Sequence, residues 1–200
     1  MRETTARGLR MKTRQAVTDA LADTALELFD STGFDQVTVA DIVAAAGISQ
    51  RSFFRYFSSK EDVVFGDRIP TAEEVRDELL RHLDGSPAWD ALRDTFRTAA
   101  EQMDADPGPW KRATRVICHT PGLRARYLEK HLAWTDALAP ELASRIGPDT
   151  PDADLRAHTM INTALGCFDV ALVRWSEAGA DLSLAGLVDD VFGFVRIPHA

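Results

Sequence analysis

The 200-residue sequence predicts an all-α protein of about nine helices: an N-terminal three-helix domain containing a helix-turn-helix, and a larger C-terminal helical bundle. Three observations predict it. Apolar residues recur at three-to-four spacing in segments bounded by capping residues and by Gly or Pro. Strand-like alternation, Asn-Gly turns and long internal repeats are missing from the sequence. The stretch Thr38 to Phe57, TVADIVAAAGISQRSFFRYF, holds two short amphipathic segments separated by one glycine.

Taken in order, the first helix is expected from Thr13 to Ser31, with Val17, Leu21, Thr24, Leu28 and Phe29 on its inner face and Gly33 closing it. Phe34 and Val37 tie the following loop to the core. Thr38 caps a second helix, with Asp41 reaching back as a capping box, and Val39, Ile42, Val43 and Ala46 form its apolar stripe. Gly47 ends it in the left-handed region. Ile48 packs into the corner, Ser49 caps the next helix, and Phe53 and Phe57 supply that helix's buried stripe. Its other face is Gln50, Arg51, Ser52, Arg55 and Tyr56, donors suited to phosphates and base edges on an element narrow enough for the major groove. This reading puts a recognition helix at Ser49 to Phe57.

Ser58 and Glu61 form a second capping box before Val63, Val64 and Phe65, and Pro70 is expected to interrupt the helix they begin. The domains are drawn at 1–65 and 66–200. Beyond the link, helices are expected at Thr71 to His82, Pro87 to Met103, Trp110 to His119, Leu123 to Ile146, Pro151 to Glu177 and Leu184 to Val195. The run Asp104 to Pro109 reads as a break, Pro140 as a kink, and Pro151 to Glu177 as the longest segment. The last two helices carry wide apolar faces, which either bury within one chain or pair with the same helices of a second copy.

Composition narrows the function classes. The net charge of −8 argues against a generally basic nucleic-acid binder, so its distribution decides. Residues 1 to 14 hold Arg2, Arg7, Arg10, Lys12 and Arg14 against Glu3, and residues 49 to 60 hold Arg51, Arg55 and Lys60 with no acid. Residues 67 to 200 hold 15 bases and 22 acids, so positive charge is confined to the N-terminal arm and the recognition helix. No apolar run is long enough for a membrane span, and the N-terminus lacks the apolar core of a signal peptide, which predicts a cytoplasmic protein. Cys118 and Cys167 show no CxxC and no zinc-ligand spacing, so no metal or cofactor is expected. G-x-S-x-G, H-E-x-x-H, P-loop and G-x-G-x-x-G motifs are lacking, which weighs against an enzyme.

A helix ending LFDSTGFDQVTVADIVAAAGIS, followed by FFRYFSSKEDVV, resembles the DNA-binding domain of the TetR-type (tetracycline-repressor-like) transcriptional regulators over about residues 13 to 65. The resemblance implies an all-helical homodimer whose larger C-terminal domain binds a small-molecule effector and dimerises through its last two helices. It further implies a repressor released from a palindromic double-stranded operator by that effector. An architectural DNA-binding protein without effector is the alternative, with a small-molecule enzyme behind it. Carried over by residue, Thr38 and Lys60 meet phosphates, Gln50, Arg51, Ser52 and Arg55 face the groove beside Ser49, and Tyr56 reaches the backbone. Phe54 stands where the family usually has a phosphate-binding Tyr, and Val43 where it has a small Ala. Within the C-terminal domain, Trp89, Phe96, Met103, Trp110, Arg115, Cys118, His119, Tyr127, His131, Trp134, His158, Asn162 and Phe168 are either core or the lining of a mainly apolar effector cavity. Arg115 and His119, four apart, form a candidate grip for a carboxylate or phosphate.

Overall fold

The computed structural model describes residues 2–147, 149–179 and 182–195, without the side chains of residues 2–15 and of Asp67. These residues form ten α-helices and one 3-10 turn, with no strand among them. The helices are α1 (Arg2–Thr32), α2 (Val39–Ala46), α3 (Gln50–Phe53), α4 (Lys60–Phe65), α5 (Ala72–Leu83), α6 (Ala88–Ala105), α7 (Pro107–His119), α8 (Pro121–Ile146), α9 (Ala153–Glu177) and α10 (Leu184–Phe194). The 3-10 turn spans Gly66–Arg68, and the chain divides into two compact units between Ile69 and Pro70. None of the described helices is long and apolar enough to cross a membrane.

In the first unit α1 is helical from Arg2 and, at 31 residues, is the longest element, ahead of the expected α9. The basic side chains of the arm lie outside the described side chains. The inner face of α1 is Leu21, Ala22, Ala25, Leu26 and Phe29, whereas Val17 is 40% exposed. Ile42 and Val43 of α2, Phe53, Phe57 and Val63, Val64 and Phe65 of α4 complete this core. The helix of α4 is capped by Ser59, whose Oγ accepts the Asp62 amide at 3.3 Å, and not by the expected Ser58 and Glu61 pair. Ser58 instead donates its amide to Asp62 Oδ2 at 3.1 Å. That helix ends at Phe65, five residues before Pro70, so Pro70 breaks nothing; Ile69 is already extended and Thr71 opens α5 with a capping box to Glu74.

The second unit packs α5 to α10 around Trp89, Phe96, Phe168, Trp175 and Phe192, with Leu79, Leu138, Leu142 and Ile161 fully buried. Pro107 and Pro121 do not break the chain but start α7 and α8, where the missing amide would lack a helical acceptor in any case. The expected six-residue break therefore shrinks to Asp106, the single residue between α6 and α7. Two clamps fix the C-terminal helices. Asp104 of α6 accepts the amides of Leu184 (2.9 Å) and Ala185 (3.0 Å), placing a carboxylate on the first turn of α10. At the end of α9, Lys111 donates to the carbonyls of Ala178 and Gly179 at 3.0 Å, and Arg115 to that of Ser176 at 2.8 Å.

Candidate functional site

The exposed surface of the first unit is built on a turn that the sequence fixes locally. Thr38 and Asp41 satisfy each other reciprocally: the Asp41 carboxylate accepts from the Thr38 amide at 2.8 Å and hydroxyl at 2.6 Å, and the Asp41 amide donates to Thr38 Oγ1 at 3.3 Å. The hydrogen bonds from Thr38, side chain before backbone, hold the Asp41 carboxyl below its ordinary range. Gly47 closes α2 at φ 65°, ψ 32°, while the Ile48 amide bonds the Val43 carbonyl at 3.0 Å. A side chain there would meet nothing within 4 Å, so the demand for glycine is conformational and not steric.

Ser49 then caps α3, accepting the Ser52 amide at 3.1 Å and sharing a hydrogen bond with the Ser52 hydroxyl at 3.0 Å. The helix proper is four residues, Gln50–Phe53, shorter than the expected Ser49 to Phe57; tighter bonds from Arg55 to Ser52 and from Tyr56 to Phe53 carry the chain on to Phe57. Phe53 and Phe57 point inward with ring centroids 5.6 Å apart. Outward stand Gln50, Arg51 and Arg55, all exposed, and Phe54 at 55% exposure. Arg55 lies over the Tyr56 ring at 4.8 Å and donates to its hydroxyl at 2.8 Å, which orients the guanidinium before any ligand arrives. Gln50 and Arg51 hold the side-chain donors of this surface that bond to no protein group among the described residues.

Two residues carried over as phosphate contacts are committed internally. Thr38 spends both its amide and its hydroxyl on Asp41. Lys60 donates to the carbonyls of Phe34 (2.9 Å) and Val37 (3.2 Å), with its ammonium 4.3 Å from the centroid of the Phe34 ring. Lys60 thus staples the α1–α2 loop to the start of α4, a role that its place in the sequence did not suggest.

In the second unit, the candidate effector residues separate. Trp89, Phe96, Phe168 and Phe192 stack across α6, α9 and α10 at centroid distances of 4.8–6.2 Å, and Met103 is buried. A second group lies between α8 and α9. Tyr127 is buried and donates to Asp169 Oδ1 at 3.0 Å, Arg124 donates to Asp169 Oδ2 at 3.1 Å, and His131 meets Tyr127 edge-on (4.6 Å) and lies against Trp134 (5.4 Å). Burial, then the neighbouring Asp169 carboxylate, push the Tyr127 hydroxyl well above its ordinary pKa. The Trp134 indole donates to the Pro70 carbonyl at 3.1 Å, fixing the start of this unit. Arg115 and His119 do not form a grip: Arg115 caps α9, and exposed His119 places Nδ1 2.8 Å from the carbonyl of Arg115 on its own helix. Asn162 and His158 bond only within α9, Trp110 and Cys118 are half-buried, and burial raises the Cys118 thiol pKa. No group of three or more His, Cys, Asp or Glu suited to a metal ion occurs among the described residues. Asp169, Arg124 and Thr135 were missed in the sequence; the signal for Asp169 was a carboxylate amid the apolar run Cys167-Phe168-Asp169-Val170.

Comparison with known proteins agrees with this organisation. Residues 21–65 match the family described as bacterial regulatory proteins, tetR family, and residues 86–199, more than half of the chain, match the MftR C-terminal domain. A Mycobacterium tuberculosis protein named as a transcriptional regulator of mycofactocin biosynthesis, MftR, is 32% identical over 177 residues, covering 84% of this chain and 89% of that protein. The HTH-type transcriptional regulator TcmR of Streptomyces glaucescens is 31% identical over 164 residues, 77% of this chain and 70% of that protein. Among solved structures, the fatty acid degradation regulator FadR from Bacillus halodurans shares the fold at a TM-score of 0.62 and 20% identity, over 89% of this chain and 93% of its own. With its helix-turn-helix, its helical second unit and these relatives together, the chain belongs to the TetR family of bacterial regulatory proteins.

Proposed function

We propose that this chain acts in the cytoplasm as a transcriptional repressor, binding a palindromic operator as a homodimer and leaving it when a small molecule occupies the second unit. The observation that carries the reading is the α3 surface. Gln50 and Arg51 stand exposed on a short helix whose base is buried through Phe53 and Phe57, and Arg55 is pre-oriented by Tyr56 beside them. Such donors on a rigid element suit base edges, while the acidic body disfavours contact elsewhere. Arg51→Ala is expected to cost about 1–3 kcal/mol on operator DNA and to relax specificity at one base pair. Fluorescence anisotropy on operator and random duplexes checks this; equal losses on both would reject base reading by Arg51.

The dimer reading rests on a different face from the wide apolar stripes seen in the sequence. Ile161, Leu165, Phe168, Leu172, Val188 and Phe192 are consumed within the chain. Besides the charged Asp154, Arg156, Arg174 and Glu177, α9 leaves outside Leu155 (65% exposed), Thr159, Asn162, Gly166 and Val170 (62%), a stripe at four-three-four-four spacing; beside Asp189 and Asp190, α10 adds Gly186, Gly193 and Phe194 (81%). Gly166 costs α9 about 0.5–1 kcal/mol of helix stability relative to Ala, yet a side chain there would meet nothing within 4 Å in the monomer. Close approach of a second copy's helices accounts for it, in the four-helix arrangement of many helical dimers. The effector's coupling to DNA would run through Trp134 and its bond to Pro70. Trp134→Phe should then reduce the effect of an effector on operator affinity more than it reduces operator affinity itself. An unchanged ratio would remove Trp134 from the path.

A further inference from the structure

Within this reading of the second unit as an effector domain, we propose that His131 and Thr135 form a polar anchor for an uncharged hydroxyl carried by an otherwise apolar, aromatic ligand. Tyr127, His131 and Thr135 follow one another at four-residue steps and so form one stripe along α8. Two of the three have unmet hydrogen-bonding capacity. His131 Nε2 and Thr135 Oγ1 are both buried without a partner, although buried polar side-chain atoms are in the large majority bonded. Thr135 is only 6% exposed.

Four other helical threonines differ from Thr135. Thr95, Thr98, Thr159 and Thr163 each donate to the carbonyl four residues back, at 2.7–3.0 Å. Thr135 makes no such local bond, which leaves its buried hydroxyl open to a ligand. The neighbouring carboxylate does not meet the need of His131 either: Nε2 lies 3.7 Å from Asp169 Oδ1, beyond hydrogen-bond reach.

Charge selects the class of ligand. Arg124 and Asp169 neutralise each other at 3.1 Å. Burial holds the His131 imidazole below its ordinary pKa, against the pull of Asp169 and with a smaller push from Arg124 in the same direction as burial. The stripe therefore offers no net positive charge to a carboxylate, and an anion would face Asp169. A hydroxyl suits both orphans: it can donate to an unprotonated Nε2 while accepting from Thr135, or accept from a protonated Nε2 while donating to Thr135. The clustered Tyr127, His131 and Trp134 rings supply the apolar side.

Isothermal titration calorimetry of the full chain at pH 7.5 with 1-naphthol, 1-naphthoate and naphthalene tests the proposal, in the wild type and in Thr135→Val and His131→Phe. The wild type should bind 1-naphthol about tenfold more tightly than the other two, and each variant should bring 1-naphthol down to the level of naphthalene. Without any probe, Thr135→Val should keep or raise Tm, since it deletes a buried hydroxyl that bonds to nothing. Absence of a naphthol preference, including failure of all three probes to bind the wild type, would overturn the anchor. So would a fall in the Tm of Thr135→Val, which would show an internal partner for the hydroxyl. Operator affinity of the wild type, measured without probe, tests the regulator reading separately, so either conclusion can fail alone.

Discussion

Replacing Lys60 by Met keeps most of the side chain's apolar stem and deletes the ammonium that holds the α1–α2 loop. Its two bonds, at 2.9 and 3.2 Å to the carbonyls of Phe34 and Val37, are charge-assisted, but the group is only part-buried and water replaces some of what is lost. Allowing about 1 kcal/mol for each bond, and less than 1 kcal/mol for the contact with the Phe34 ring, the loop loses roughly 2 kcal/mol. That is about a 30-fold rise in local opening. Hydrogen-exchange mass spectrometry of the full chain should show it in peptides covering residues 33–43, with α9 unchanged. On DNA, Lys60→Met should weaken operator and random duplexes by the same factor while leaving the salt dependence alone. Unchanged exchange in residues 33–43, or a salt slope lowered by about one as a lost phosphate contact would give, would refute the staple.

Three further outcomes follow from the same geometry. Gly47→Ala should destabilise the first unit by about 1–2 kcal/mol through the left-handed backbone alone, read as a lower midpoint in thermal unfolding followed by circular dichroism. Val170→Arg should leave the chain folded but shift it to monomer in light scattering, and weaken operator binding far more than it changes helicity. Asp41→Asn should lower stability at neutral pH. Because the folded Asp41 pKa is depressed, the benefit of its carboxylate is present above the unfolded value near 3.8 and fades as pH falls through the folded one. The gap between the two proteins should therefore close in acid; a gap that persists at pH 2 would place the Asp41 contribution elsewhere.

What the sequence revealed was mostly local. The Thr38–Asp41 capping box, the left-handed Gly47 and the Ser49 cap are each decided within a few residues, and all three form as the sequence predicts. The inner face of α1 was placed only in part: Leu21 and Phe29 are buried as expected, but Ala22 and Ala25, small and weakly apolar, are buried too, while Val17 is not. Pro107 was read as part of a break and Pro121 was left outside the helix expected from Leu123, because a proline stops a helix from within, yet it opens one at the first position. The exposed face of α3 was legible as a set of residue types, but not the internal bonding of Thr38 and Lys60, which needs the loop folded back on α4. In the second unit, aromatic spacing located Tyr127, His131 and Trp134. Their partner Asp169 and the unmet Thr135 depend on how α8 meets α9, which no periodicity states.

Selecting bound sequences from a random duplex library with the 200-residue chain asks whether a dimer reads DNA with paired α3 surfaces. The expected result is enrichment of an inverted repeat whose half-sites keep one fixed spacing near a whole number of helical turns, about 10–10.5 base pairs each, with two or more copies of the chain on each site. Arg51→Ala should select the same repeat with one position in each half relaxed. Recovery of no preferred sequence, or of a single asymmetric half-site bound by one copy, would contradict paired reading by a dimer.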